Sequence, residues 1–467
     1  MANEQFVSRY RKYGEEQPYW KAGIFKIRLP FVHYKWSVPE MVQAVFMCAT
    51  CLGAIPVLQE VLGVSYGVAL SMVIINGFFY NLHVLLGDPV VPGWITPAIP
   101  IITAFLTDGY EMGPERTQAL IAMQLILGLI FLVFGITGIG GKMVHLVPNS
   151  VKAGVLMGGG LAAIIGEMGE TGRFWTYPIS ITVGVLVAYF CLFSPIWANL
   201  RRKYKAIDLI GKFGMLPAII IGVVLGPIAK EIAVPAVQLW PLIKIPEFGN
   251  IWNQLSPFAI GWPSAATWIA AIPTAIVVYI IAFGDFVFAE AVINEADAVR
   301  QDEFLNYDSN RTNIICGFRN LLLALVAPYG AVLSGPLWGA THMSILERYK
   351  HGRKDMDSLF GGLWSMNCTL MVGTMWMGFV SLFKPCLQVA MSITMMVQAW
   401  GCFYLSIEMC KTRLEMSIAG ITAIFLATKG ATWGLCVGLG LCLIMGAFKN
   451  AKYEEETMGT ESPEDVL

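Results

Sequence analysis

Two interrupted hydrophobic segments decide the fold that this sequence predicts: Gly87-Asp-Pro-Val-Val-Pro-Gly93-Trp-Ile-Thr-Pro-Ala-Ile-Pro100 and Ala327-Pro-Tyr-Gly-Ala-Val-Leu-Ser334-Gly-Pro-Leu-Trp338-Gly. In each segment, proline and glycine precede a short apolar run. A proline inside a helix removes a backbone donor and clashes with the preceding turn. Each segment therefore predicts extended chain followed by a half-helix. Ordinary proline kinks, which membrane helices tolerate, would explain either segment alone.

Long apolar runs surround both segments. Of the 467 residues, 56% are hydrophobic and 13% are charged, whereas a soluble protein has about 25% charged residues. The uncharged stretches cover about 300 residues, and a spanning helix takes about 20 of them. They divide into fourteen predicted spans, so the fold class is an all-α polytopic protein of the lipid bilayer. With 31 basic and 32 acidic residues, the net charge of -1 gives no reason to expect a nucleic-acid partner.

The fourteen spans form two sets of seven, and the interrupted segments are the third span of each set, spans 3 and 10. Because seven is odd, the two sets insert with opposite topology and form inverted repeats. Broken helices at matching positions of inverted repeats indicate the midplane binding site of a secondary transporter. Their backbone N–H groups would face the ligand with the positive ends of two helix dipoles.

Basic residues predict the orientation of the chain. Clusters of lysine and arginine precede the first span and follow the sixth, tenth, twelfth and fourteenth, all on one side of the membrane. We expect a multi-pass protein of the plasma (inner) membrane with both termini cytoplasmic. The predicted division is a cytoplasmic N-terminal segment (1–36), a first repeat (37–235), an extracellular or interfacial connection (236–263), a second repeat (264–448) and an acidic cytoplasmic tail (449–467). The residues outside the spans are too few for a further domain.

Two carboxylates lie inside the eighth predicted span. Asp285 and Glu290 are five residues apart, about 140° around a helix, so they do not share one face. An ionisable side chain within a span costs at least about 2.5 kcal/mol and usually has a function. Each carboxylate is a candidate to bind the substrate, to carry a coupling proton or to ligate Na+. The alternative for each is a carboxylate satisfied by a neighbouring helix.

Motifs of enzymes and metal sites are absent from the sequence. The five histidines are scattered without an HExxH motif, and there is no GxSxG, Walker A or dinucleotide fingerprint. His342, in the tenth span, is within reach of the predicted site, but a packed or interfacial histidine is the favoured interpretation. The sequence therefore predicts no enzyme activity, no metal site and no cofactor.

Four segments carry a resemblance to a known family. They are Val42-Gln43-Ala44-Val-Phe-Met47 with Ile55-Pro56, Gly93-Trp94-Ile95-Thr96 through Pro100, the eighth-span run around Glu290, and the cytoplasmic connection Asp308 to Asn320. In order and spacing they resemble the nucleobase–ascorbate transporters, the xanthine/uracil permease group of nucleobase:cation symporters, which is distantly related to sulfate permease-type anion transporters and bicarbonate transporters. The resemblance implies a core subdomain (spans one to four and eight to eleven) that holds the substrate. It also implies a gate subdomain (spans five to seven and twelve to fourteen), often a homodimer contact, past which the core slides in an elevator motion.

The resemblance also implies roles for single residues. Glu290 aligns with the family's substrate-binding glutamate, and Gln43 aligns with the first residue of a Gln-His pair in which Ala44 replaces the histidine. Near Gly339 the family carries a second acidic residue or a glutamine, and this chain has no carboxylate there. The identity of the substrate is therefore not copied from the family.

We expect a cation-coupled symporter, driven by H+ or Na+, for a small polar planar solute, by default a nucleobase such as uracil or xanthine. Glu290 would hydrogen-bond the solute, and Glu290 or Asp285 would carry the coupling cation. The other predicted substrate-binding residues are Thr96, Ser334 and Gly335 as donors, Trp94 or Trp338 as a stacking face, and Gln43.

Transport of a small anion is the alternative. Two convergent half-helix N-termini suit a carboxylate, a sulfonate or an inorganic anion without any arginine. Loss of the second carboxylate removes a repulsive group, although Glu290 would have to be protonated or paired with a cation. A channel without turnover is a third interpretation.

Overall fold

The computed structural model describes residues 11–139, 147–170, 172–211 and 216–447. The predicted acidic tail, 449–467, lies outside these described residues. Four short strands occur among them: β1 (Trp20–Ala22), β2 (Phe25–Ile27), β3 (Gly93–Trp94) and β4 (Ser334–Gly335). Helices form the rest of the architecture.

The first group of helices precedes residue 236. They are α1 (Val38–Leu52), α2 (Ala54–Leu62), α3 (Tyr66–Leu85), a 3₁₀ turn (Thr96–Ala98) that continues into α4 (Ile99–Gly109), α5 (Pro114–Thr137), α6 (Asn149–Met168), α7 (Arg173–Thr176), α8 (Pro178–Phe193), α9 (Pro195–Lys203), α10 (Lys205–Gly211) and α11 (Leu216–Ile228).

The remaining helices begin in the connection between the repeats. They are α12 (Phe248–Leu255), α13 (Pro257–Ile260), α14 (Ala265–Val299), α15 (Ser309–Val326), α16 (Gly339–Tyr349), α17 (Leu359–Met375), α18 (Met377–Phe383), α19 (Leu387–Met409), α20 (Arg413–Lys429) and α21 (Ala431–Ile444).

Several of these helices are long and apolar enough to cross a bilayer. Within the described ranges there are 5, or up to 7 if each of two bent helix pairs counts as one span. The other spans use shorter or interrupted helices. The architecture is the predicted one: an all-α polytopic membrane protein of fourteen spans in two inverted seven-helix repeats, with half-helices in spans 3 and 10.

Helix packing separates a core from a gate. In the core, α5 packs against α14 and α15, and α17 packs against α1 and α3. In the gate, α6 packs against α19 and α20, and α8 packs against α11. Small residues allow the closest approaches, as they do in other membrane bundles. A Cβ atom on Gly317 of α15 would lie 2.9 Å from the backbone nitrogen of Leu132 of α5.

The N-terminal segment, residues 11–36, packs onto the core. β1 and β2 form an antiparallel hairpin, and the Arg28 N–H donates a hydrogen bond to the last residue of α3. Arg11 Nη2 lies 2.7 Å from Asp302 Oδ2 and 3.3 Å from Glu303 Oε2, in the connection between α14 and α15. Burial raises the pKa of the Glu303 carboxyl, and the charge of Arg11 opposes that shift. The ordered packing of this N-terminal segment on the core was not predicted from the sequence.

The connection between α11 and α14 covers the opposite end of the core. The Lys244 N–H donates to the Met375 carbonyl at the end of α17, at 2.8 Å. The Glu247 N–H donates to Ser71 Oγ near the start of α3, at 2.9 Å. The two ends of α3 are therefore covered by different parts of the protein, one end by the N-terminal segment and the other by this connection.

Candidate functional site

The two interrupted segments meet in the middle of the bundle. β3 and β4 pair in antiparallel register, Gly93 with Gly335 and Trp94 with Ser334. The Ile95 N–H donates to the Leu333 carbonyl at 3.0 Å, which extends the pairing by one further bond. The sequence predicted two half-helices preceded by extended chain, and the structure joins them through this extended chain.

Glycine is needed in both strands because the two chains approach closely. A Cβ atom on Gly93 would lie 2.7 Å from the Leu337 carbonyl oxygen. A Cβ atom on Gly335 would lie 3.0 Å from the Ile95 backbone nitrogen. A side chain at either position would push the strands apart and separate the two half-helices.

Both half-helices start at this strand pair, and no side chain among the described residues caps either start. In α16 the His342 N–H donates to the Trp338 carbonyl at 2.9 Å, so the N–H groups of Gly339, Ala340 and Thr341 precede the helical ladder, whereas the Trp338 N–H already donates to the Val91 carbonyl at 2.7 Å. The start of α4 offers fewer donors, because Pro97 and Pro100 have no N–H. The positive end of α16 therefore supplies most of the free backbone donors.

Thr96 and Trp338, two of the predicted site residues, lie at the accessible surface of the strand pair. Both are partly exposed, as are Pro97 and Gly339. Thr96 belongs to the turn that starts α4, and Trp338 immediately precedes α16. These residues form the part of the pair that a ligand can reach.

Ser334 and Gly335 are buried behind that surface. The Ser334 N–H donates to Asn320 Oδ1 at 3.2 Å, and Asn320 Nδ2 donates to the Ser334 carbonyl at 2.9 Å. The Gly335 carbonyl accepts a hydrogen bond from Arg319 Nη1 at 3.0 Å. The backbone N–H of Ser334, predicted to bind the solute, is thus engaged by α15 in this structure.

Trp94 turns its indole ring into the core. Its ring centroid lies 6.4 Å from that of Tyr329, and it lines an internal cavity of about 10 Å³ together with Asn76 and Tyr80. That volume accommodates about one water molecule. Trp94 is nevertheless partly exposed, as Trp338 is, so both rings stay candidates to stack on a ligand.

Gln43 joins the first span to the second half-helix. Its Nε2 donates to Ser344 Oγ of α16 at 3.0 Å. One turn further along α1, Met47 contacts Thr341, also of α16. These contacts place α1 beside the start of α16, where the resemblance predicted a substrate contact.

The two carboxylates of α14 lie on different sides of the helix. Phe288 faces the start of α16, because a Cβ atom on Gly339 would lie 3.3 Å from its ring. Asp285 is three residues earlier, on the same side as Phe288, and is partly buried. Glu290 follows Phe288 by two residues, about 200° around the helix, and is exposed. Asp285 is therefore the carboxylate on the side of the half-helices.

Gly339 stands near the position at which the resemblance implies a second acidic residue or a glutamine. A longer side chain at position 339 would require the Phe288 ring of α14 to shift by a few tenths of an ångström.

Three functional candidates were not predicted from the sequence: Asp88, Arg319 and Asn320. His83, at the end of the second predicted span, is interfacial by its place in the sequence, but its side chain is fully buried in the structure. Arg319 and Asn320 lie in the stretch that leads into the ninth predicted span, which starts near residue 313, and α15 begins at Ser309. Both residues are therefore about three turns inside the helix. The signal that could have found them is the charge of Arg319 beside the apolar run that follows it.

The gate touches both the half-helix and the outer part of the core. A Cβ atom on Gly159 of α6 would lie 2.7 Å from the Pro97 carbonyl oxygen. Arg173 of α7 forms a clasp between the subdomains: its Nη2 lies 2.9 Å from Glu60 of α2, and its Nη1 bonds Glu167 of α6. Arg173 Nε donates to Gln388 of α19 at 2.8 Å.

Removing the clasp is expected to shift the core relative to the gate. Glu60→Gln takes away the core's charge while leaving the gate's own partners of Arg173 in place. Because Glu60 is 53% exposed, an ion pair of about 0.2–1 kcal/mol is expected. The population of this arrangement should fall by roughly 1.4- to 5-fold, measured by pulsed EPR distances between a core helix and a gate helix. Glu170→Gln, the same change at a nearby exposed residue, is the control, and an equal shift there would refute the clasp.

Comparisons with known proteins support the fold. No protein-family model matches the chain, and no curated protein sequence matches it. It is similar to the transmembrane domain of a cyanobacterial bicarbonate transporter, BicA, with 15% identity and a TM-score of 0.53 over 86% of this chain and 97% of that one.

A second similarity is to the murine Solute Carrier 26 family member A9 anion transporter in the inward-facing state. Identity is 12% and the TM-score 0.50, over 89% of this chain and 69% of that one. Another structure of SLC26A9 has 13% identity and a TM-score of 0.51, over 88% of this chain and 66% of that one. The likeness shows that the chain shares its fold with these transporters, which agrees with the predicted distant relation to sulfate permease-type and bicarbonate transporters. The closer relation to the nucleobase–ascorbate group stays a prediction.

Proposed function

We propose that this protein is a secondary active transporter of small anions, such as a carboxylate, a sulfonate or an inorganic anion. The observation that carries the proposal is the common origin of two half-helices at the β3–β4 pair, with no side-chain cap on either start. A helix N-terminus carries roughly +0.5 of an elementary charge, and its N–H groups bind anions. No acidic residue lies between Pro89 and Thr107 or between Ala327 and Leu346 to oppose that charge.

The shared fold points in the same direction. One structure of similar fold is a bicarbonate transporter and another is an anion transporter. In the proposed cycle the core carries the anion at the strand pair and slides past the gate in an elevator motion. The close contact between Gly159 of the gate and Pro97 of the core supports this view, because it places the half-helix at the boundary between the two.

Asp285 is the proposed coupling residue. It is partly buried on the side of α14 that faces the start of α16. A proton or Na+ on this carboxylate would neutralise it when the anion binds. This neutralisation would couple transport of the cation to transport of the anion. Glu290, which the resemblance aligns with the family's substrate-binding glutamate, is exposed on another side of α14.

The neutral-heterocycle interpretation depends on Glu290 as the hydrogen-bond partner and on an aromatic ring beside the base. Both candidate rings, those of Trp94 and Trp338, are partly exposed at the strand pair. Glu290, however, is turned away from Phe288 and hence from the start of α16. The position of Glu290 favours the anion.

Uptake into proteoliposomes tests the proposal. Purified protein is reconstituted, and an inward gradient of H+ or Na+ is imposed. Labelled bicarbonate, chloride, sulfate and acetate are compared with uracil and xanthine, and protein-free vesicles serve as the control. We expect saturable, gradient-driven uptake of at least one anion and none of either base. Uptake of uracil or xanthine without uptake of any anion would contradict the proposal.

A further inference from the structure

A chain of buried polar side chains runs up to the strand pair from α3. His83 Nδ1 lies 2.7 Å from Asp88 Oδ2, and His83 Nε2 lies 3.1 Å from Arg319 Nη1. The same Arg319 nitrogen donates to the Gly335 carbonyl of β4 at 3.0 Å. All three side chains are fully buried. A charge is therefore held directly behind the site.

The bonding partners settle where the protons are. An arginine can only donate, so His83 Nε2 must accept from Arg319. The remaining ring proton of a neutral imidazole is then on Nδ1 and is donated to Asp88. Asp88 Oδ1 accepts a second hydrogen bond from Thr312 Oγ1 at 2.9 Å. This hydrogen-bonded series of side chains is thus a fixed dipole with its positive end at Gly335 and its negative end at Asp88.

Holding β4 in place does not require this charge. Asn320 already bonds both the N–H and the carbonyl of Ser334, and β3 pairs with β4 along its other edge. Arg319 Nε and Nη2 are buried without a hydrogen-bond partner among the described residues, although the guanidinium lies 5.0 Å from the centroid of the Tyr80 ring. Burying a cation with unused donors is costly, and a neutral donor would serve the Gly335 carbonyl equally well. The charge of Arg319 contributes a positive field at the strand pair from which both half-helices start.

We propose that Arg319 determines charge selectivity: its positive charge, oriented by His83 and Asp88, makes the site at the strand pair take a small anion rather than a neutral solute. This inference rests on the proposed function. Arg319 acts through its field and through Gly335, so it is a positioning and selectivity residue. Asp88 weakens the positive field of Arg319 at the strand pair, because its negative charge lies at the other end of this series of hydrogen-bonded side chains.

One double variant, in which two substitutions leave the net charge unchanged, separates the selectivity role of Arg319 from an effect on folding. Arg319→Gln combined with Asp88→Asn removes both charges together and leaves no unbalanced charge in the core. For this double variant we expect KM for the anion to rise several-fold, less than the loss of a unit positive charge alone would give, because the loss of the opposing Asp88 charge offsets part of the effect. Vmax should stay within a few-fold of wild type. Arg319→Lys keeps the charge and should retain most of the affinity.

Asp88→Asn alone provides a second, opposite readout. It removes the opposing charge while leaving Arg319, so KM for the anion should fall several-fold. A structural role for the chain would raise KM or lower the yield of folded protein in every variant. If the double variant does not fold, the single variant decides: a lower KM supports the proposal, and an equal or higher KM overturns it.

The proposal and the proposed function fail in different ways. If wild-type vesicles take up anions and the folded double variant keeps the wild-type KM, the selectivity role of Arg319 is refuted and anion transport stands. If wild-type vesicles take up no anion, the proposed function is refuted and this inference is refuted with it. Uptake is measured at several anion concentrations under one fixed gradient.

Discussion

Asp285→Asn is expected to abolish gradient-driven accumulation of the anion while leaving anion exchange intact. Asparagine has the shape of aspartic acid and the charge of its protonated form, so the site remains permissive for an anion. It cannot release or take up a proton, and it loses the charge that would hold Na+. Accumulation above the external concentration should disappear, whereas exchange of labelled for unlabelled anion should continue at a comparable rate.

Glu290→Gln is the matched control on the same helix. It is also a carboxylate-to-amide change, but the side chain lies about 140° away from Asp285 around α14 and is exposed. We expect accumulation to stay within about twofold of wild type, as for other exposed substitutions. Loss of accumulation in Glu290→Gln together with normal accumulation in Asp285→Asn would assign coupling to Glu290, the other carboxylate predicted for that role, and would refute the role of Asp285.

The fold could be predicted from the sequence because local backbone chemistry determines it. Proline and glycine in Gly87 to Pro100 and in Ala327 to Gly339 interrupt two apolar runs, and the structure has its strands and half-helices there. The pairing of Gly93 with Gly335 could not be predicted. It joins residues far apart in the chain, and no local pattern specifies the register.

The candidate site was predictable only in part, because side-chain direction depends on packing. Trp94 and Trp338 are both predicted stacking faces and both are partly exposed, but only the packing shows that the Trp94 ring lies beside Tyr329 and lines an internal cavity. Asp285 and Glu290 were separable by helix geometry, but only the position of Phe288 shows which of them faces α16. Sequence periodicity describes the angle between two residues and leaves the orientation of the helix open.

Asn320→Leu is expected to have the second large effect, a loss of transport of roughly 100-fold. Leucine resembles asparagine in size but has no polar atom, so it would leave the N–H and the carbonyl of Ser334 unpaired in the core. Each unpaired buried group costs about 1–3 kcal/mol, and β4 would have to move to find other partners. Because β4 leads into α16, the start of that half-helix would move with it, and the site would lose its geometry.

Asn320→Asp separates the two hydrogen bonds and serves as the control. An aspartate oxygen still accepts from the Ser334 N–H, but the donor to the Ser334 carbonyl is lost unless the acid is protonated. Uptake should therefore lie between those of wild type and Asn320→Leu, and it should recover toward wild type as the pH is lowered. Size-exclusion profiles and melting temperatures show whether both variants are folded. Wild-type uptake by a folded Asn320→Leu protein would mean that β3 alone positions β4, and that α15 is not the support on which the half-helix depends.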